Sequence, residues 1–279
     1  MSIWYDFWEL LPFEIFHHQF MCNALLAVIL MAPLFGLCST MIVTGRMSFF
    51  SDALGHSAFT GIAIGSLFGL LDSTWVAVLF SIAFALLFSY VKARSVHAAD
   101  TIIGVFSSTA VALGIFLATL DGGSFTKYNR YLIGDVLSIT PAQIGWLALI
   151  LLFVFGFWLL FSNKLTLSSI HPQLASSRGI PVAFIQGAYT VLIAVVVTLC
   201  ISWVGLLILN SLLILPAASA RNISKNLRQY HLFSLLFAGL SGIAGLVISC
   251  FIGTSTGAVI SLLLALIFTV TFLLRKVRS

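Results

Sequence analysis

The sequence is divided into apolar blocks of roughly 20 residues separated by short polar stretches. A helix rises about 1.5 Å per residue, so such a block covers the ~30 Å hydrocarbon core of a bilayer. In lipid every backbone N–H and C=O needs an internal partner, and helices supply it. Strict alternation of polar and apolar residues in short segments is missing, which argues against a membrane β-barrel. Of the 279 residues, 61% are hydrophobic and 8% charged. A water-soluble domain carries about a quarter charged residues and could not hide this much apolar surface. The expected fold is all-α: a polytopic membrane protein with eight to nine transmembrane helices, in a single transmembrane domain over 1–279.

Nine segments are predicted, near 20–44, 51–71, 74–93, 100–120, 141–161, 183–202, 204–220, 232–252 and 255–274. The segment 204–220 is short, follows its neighbour directly and contains Asn210 and Pro216, so it reads as a full crossing or as a broken, re-entrant helix. If all nine alternate in direction, Arg46, Lys92, Arg94, Lys164, Arg178, Arg221, Lys225, Arg228, Arg275, Lys276 and Arg278 fall on one side. Only Lys127 and Arg130 fall on the other. Basic residues are retained on the cytoplasmic side, so the C-terminus is expected inside and the N-terminus outside. The start, 1–19, has no basic leader, carries Trp4, Tyr5 and Trp8, and reads as an extracytoplasmic interfacial segment. The net charge of +5 is thus a topology signal, and no nucleic-acid partner is expected. Cys22, Cys38, Cys200 and Cys250 are scattered singly, without a CxxC pair, and read as apolar fillers.

The inner loop 162–182 is longer than a turn. Its Ser residues, the run that follows, and Gly179 with Pro181 as a stop fit a short cytoplasmic helix; a plain connector fits as well. The outer loop 121–140 is polar and aromatic.

Asp52 and His56 sit near the cytoplasmic start of the second segment. An ionisable residue within a span costs about 2.5–3.5 kcal/mol on insertion scales, so it usually faces protein or water. Residues i and i+4 share a helix face, and a carboxylate with an imidazole there can hold a divalent cation such as zinc or manganese. The alternative is that Asp52 caps the helix or complements its dipole, and that His56 bonds a neighbouring helix. Two ligands are an incomplete set; the others would come from another segment or subunit. Asp100 and the remaining histidines at 17, 18, 97, 171 and 231 are weaker candidates. Gly61, Gly65 and Gly69 continue the segment at four-residue spacing, a stripe that lets another helix approach closely. Together these features predict a helix packed on all sides, with its polar end on a pathway. No phosphate loop, HExxH or GxSxG occurs, so no enzyme activity is expected.

Five stretches carry a family resemblance: GRMSFFSDALGHSAFTGIAIG, ADTIIGVFSS, YLIGDVLSIT, SSIHPQLASSRGIPV and WVGLLILNSLLILPAASARNIS. In this order they resemble the membrane permeases of bacterial ABC importers for zinc, manganese or iron, the ABC-3 family. The resemblance implies a type II importer fold in the inner membrane. It implies a second permease copy, cytoplasmic ATP-binding subunits, and an extracytoplasmic solute-binding protein that delivers the metal. No permanently bound cofactor is implied; zinc or manganese is cargo. By position, Asp52 and His56 match the pathway positions of the family. The stretch 168–180, within a boundary of 166–181, matches its coupling helix. Ser169, His171, Pro172, Leu174, Ala175, Arg178 and Gly179 are then the residues set toward the ATPase. The alternatives are a permease for a metal chelate, such as a siderophore or cobalamin, and a carrier or channel that works alone.

Overall fold

The computed structural model describes residues 18–69, 73–96, 99–120, 134 and 136–278, the last three as backbone only. The expected interfacial start, all but the last two residues of 1–19, lies outside the described residues. So does most of the outer loop, with Lys127 and Arg130. The described elements are all helical: α1 Gln19–Thr44, α2 Phe50–Leu67, α3 Ser73–Arg94, α4 Ala99–Leu120, a 3-10 turn Val136–Ser138, α5 Pro141–Ile170, α6 Pro172–Ser177, α7 Val182–Val204, α8 Leu206–Ile223, α9 Leu227–Ile252 and α10 Thr256–Arg278.

Among the described residues eight of these helices are long and apolar enough to cross a membrane, all of the long ones except α2. The polar exception is therefore α2 rather than 204–220, where α8 is a helix of 18 residues with Pro216 inside it. Gly205 makes the break before α8 at φ +82°, a left-handed conformation that a side chain resists. A Cβ on Gly134 would run into the Val204 carbonyl, so a second glycine is needed where that strand of chain crosses the break.

Helix starts follow local chemistry. Thr140 caps α5 in a reciprocal pair: Gln143 N–H donates to Thr140 Oγ1 at 3.4 Å and Thr140 N–H to Gln143 Oε1 at 2.9 Å. Pro141 follows at the first helical position. Asn226 Oδ1 accepts from Gln229 N–H at 2.9 Å and starts α9.

The fifth span was expected to stop near 161 and release a loop. Instead α5 runs unbroken to Ile170, 30 residues and so about 45 Å. The cause is the placement of the first breaker. Pro172 forces His171 out of the helical region (φ −135°, ψ 78°) and then opens α6 at its own first turn. Ser169 consequently belongs to the last turn of α5, not to the short helix predicted to contain it.

Two compact units divide the chain. The first takes α1 up to Thr40, α5 up to Phe155, and α8, α9 and α10. In it α8, α9 and α10 pack on one another, and α1 lies along α9. Close approach is made by small residues: a Cβ on Gly36 would sit 3.2 Å from Leu235 Cα, and one on Gly242 2.7 Å from Val28 Cγ1. Hydroxyls then bond across the seam. Ser234 Oγ donates to Gly36 O at 2.9 Å and Tyr230 OH to Thr40 O at 3.2 Å. Next to Pro216, which lies inside the continuous α8, Ala217 N–H donates to Ser39 Oγ at 3.2 Å, so a side chain of α1 serves an amide beside the proline.

The second unit holds α2, α3, α4, the rest of α5, α6 and most of α7. Here α2 packs along both α3 and α4, which touch each other only marginally. The α2–α3 seam keeps one antiparallel register throughout. Phe50 stacks on Phe88 at 4.3 Å, Ser57 Oγ lies 3.2 Å from Ser81 Oγ, and Gly61 meets Ala77. At the far end Gly65 meets Ser73. Both edges are small residues every fourth position: Ala53, Ser57, Gly61 and Gly65 on α2, and Ser73, Ala77, Ser81 and Ala85 on α3. Such edges let backbones approach where apolar side chains gain nothing over lipid.

Candidate functional site

Asp52 stands in the first turn of α2, third after the N-cap. The cap itself is Phe49, which makes no side-chain bond, so Asp52 is not the capping residue. Its charge nevertheless faces the positive end of the helix. His56 follows one turn later, and its Nε2 lies 3.4 Å from Asp52 Oδ2. The side chains are 42% exposed for Asp52 and 26% for His56. On the same helix twelve other residues are buried. The pair is thus a partly open polar spot on a helix that is mostly buried as far as Gly65, with an imidazole nitrogen beside a carboxylate oxygen.

Second contacts fix the backbone beneath the pair. Thr60 Oγ1 donates to Ala110 O on α4 at 2.7 Å and lies 3.0 Å from His56 O. Ser57 Oγ donates to Leu54 O at 2.8 Å while it faces Ser81. On α4, Gly114 leaves the space filled by Phe59 and Thr60: a Cβ there would come within 2.7 Å of both. These supporting residues were missed in the sequence, although the step-four spacing of Ser57 with Gly61 carried the signal.

Of the predicted glycine stripe, Gly61 and Gly65 are in the seam; the Cβ each lacks would lie 2.5 Å from Ala77 Cα and 2.9 Å from Ser73 Cα. Gly69 is not. It lies beyond the end of α2 at φ +63°, and among the described residues nothing comes within 4 Å of its absent Cβ. Its role is conformational: the chain leaves the helix there in a left-handed turn. The true stripe extends the other way, through Ser57 and Ala53.

No group of three or more His, Cys, Asp or Glu forms a cluster among the described residues. Asp100 starts α4 in the first turn, where an acid complements the dipole. His231 Nδ1 lies 3.0 Å from Thr40 Oγ1, and His18 stacks on Phe20. His17 and His97 lie outside the described residues.

In the second unit α6 follows the end of α5 directly. Ala175 is its one buried residue; His171, Pro172, Leu174 and Arg178 are exposed around it. Gly179, at φ +72°, ends the helix, with Ile180 N–H donating to Ala175 O at 3.1 Å. Gln186 Nε2 on α7 donates to Ser168 O at 3.1 Å and so serves a carbonyl of the last α5 turn.

Eight apolar helices long enough to cross a bilayer, with a more polar helix packed along two of them, define a multi-pass membrane protein. The chain belongs to the ABC 3 transport family, whose model matches residues 17–275. It is 26% identical to the high-affinity zinc uptake system membrane protein ZnuB of Haemophilus influenzae, over 95% of this chain and 99% of that one. It is 28% identical to the manganese transport system membrane protein MntC of Listeria monocytogenes, over 92% and 91%. Among solved structures it resembles PsaBC from Streptococcus pneumoniae in complex with Fab, with a TM-score of 0.78, 26% identity, and 97% and 95% of the two chains covered.

Proposed function

We propose that this chain is the permease subunit of an ATP-driven importer that moves a divalent transition metal, zinc first and manganese second, into the cytoplasm of a bacterium. The observation that carries the reading is the Asp52–His56 pair, 3.4 Å apart and open on a buried helix. Oxygen and nitrogen ligands suit both metals. Relatives named for zinc and for manganese stand on either side of that choice. One chain gives two ligands; a second copy of the permease adds the same two. A site of this kind must accept the ion and also release it, which favours a sparse ligand set.

ATP hydrolysis belongs to a cytoplasmic partner that docks on α6, within the predicted 166–181. Exposed Leu174 and Arg178 around a seated Ala175 support that role. An extracytoplasmic solute-binding protein delivers the ion. The basic residues at helix ends support an inner-membrane orientation with the C-terminus in the cytoplasm.

The test is uptake of zinc, and of manganese in competition, by the assembled complex in liposomes with and without ATP. Asp52→Ala should lower metal uptake at least ten-fold while the complex still assembles, since about 1.4 kcal/mol of lost site energy is a factor of ten. Normal accumulation in that variant would remove the site assignment. Uptake without ATP would remove the importer.

A further inference from the structure

We propose that the cleft between α3 and α4, on the side away from α2, is a binding site for one anionic phospholipid, its acyl chain in the cleft and its phosphate on Arg94. Because α2 keeps α3 and α4 apart, a furrow of about 260 Å³ opens between them. Phe80, Phe84 and Leu87 line it from α3, and Val105, Phe106 and Leu113 from α4. The one hydroxyl in the wall, that of Thr109, donates to Val105 O at 2.8 Å, which leaves the surface apolar. The floor is fixed. Ala110 is held through its carbonyl by Thr60, and Phe84 and Phe106 meet edge to face at 5.2 Å.

Charge settles the kind of occupant. Phe80, Phe84, Leu87, Val91 and Arg94 follow one another at steps of three and four, so the cleft face of α3 leads to the Arg94 guanidinium. From Leu87 to Arg94 is about 10 Å of helix, the distance from the upper acyl chain to the headgroup level. Arg94 packs over the Tyr90 ring at 4.5 Å, and Tyr90 is an exposed aromatic of the type that marks the membrane interface. Lys92 turns elsewhere, over Phe88 at 6.0 Å. Asp52 and Asp100 are the acidic residues described. Asp100, five residues before Val105, faces away from the cleft wall by helix geometry. An acyl chain under a single cation suits a lipid whose phosphate has no headgroup cation of its own, such as phosphatidylglycerol, over a zwitterionic one whose phosphate is already countered.

The full chain is extracted in mild detergent from vesicles of phosphatidylcholine alone or mixed with phosphatidylglycerol, and retained lipid is measured by native mass spectrometry. Wild type should retain phosphatidylglycerol in preference. Arg94→Gln should cut that retention roughly five-fold, and Arg94→Lys should keep most of it. Thr109→Trp, which fills the cleft without touching the cation, should release the lipid while the variant melts like wild type. Equal retention of both lipids, or no change in Arg94→Gln, overturns the proposal. A photoreactive residue at position 109 that cross-links to another protein chain instead of lipid overturns it as well.

Discussion

Single glycines in α2 divide by what stands opposite them. The missing Cβ of Gly61 would press on the backbone of Ala77, which cannot turn aside. Gly61→Ala should cost about 1–3 kcal/mol, the range for overpacking, and should lower the melting temperature in detergent clearly. Gly69→Ala meets no neighbour among the described residues and should cost only the ~1 kcal/mol of its left-handed backbone. Equal losses in the two variants would contradict the seam described here. The sequence offered Gly61, Gly65 and Gly69 as equals because spacing alone does not reveal where a helix stops. Asp52 and His56 were legible, since an ionisable pair in an apolar block has few explanations. Thr60 and Gly114 were not: their use depends on α4 reaching α2, a contact fifty residues away in the chain.

Element boundaries show the same division. Apolar block length predicted the spanning helices well, because lipid thickness imposes it. It misplaced the end of α5, since residues 162–170 are polar enough to read as loop while containing no residue that breaks a helix. The breaker is Pro172, and α6 starts from it. Within α6, Leu174 and Arg178 are exposed while Ala175 anchors the helix. Replacing Leu174 by Asp, or Arg178 by Glu, should therefore leave membrane insertion and melting unchanged. Each should weaken copurification of the ATPase and reduce ATP-dependent uptake by about ten-fold or more, as loss of a central anchor costs ≥ 2 kcal/mol. The same substitutions leaving ATPase binding intact would move the docking surface off this element.

For the whole molecule, the distribution of basic residues sets a direction that side-selective labelling can read. With the four native cysteines replaced, a single cysteine at Ser176 should react with a membrane-impermeant maleimide only when the cytoplasmic face is opened. One at Thr254, in the turn before α10, should react from outside in intact cells. The opposite pattern would invert the topology argued from charge. How many crossings to expect was a harder matter for sequence reading: 51–71 read as a span and 204–220 as the doubtful segment, whereas α8 is long and apolar enough to cross and α2, packed along α3 and α4, is the more polar helix.

The length of α5 has a mechanical side. Thirty helical residues are about 15 Å longer than the hydrocarbon is thick, and the last turns are held by their neighbours: Leu165 and Ser168 are buried, and Gln186 on α7 donates to Ser168 O. Only His171 separates that last turn from α6, so the two cannot shift independently. Force applied to α6 would reach the contact of α5 with α7 instead of being absorbed in a slack tether.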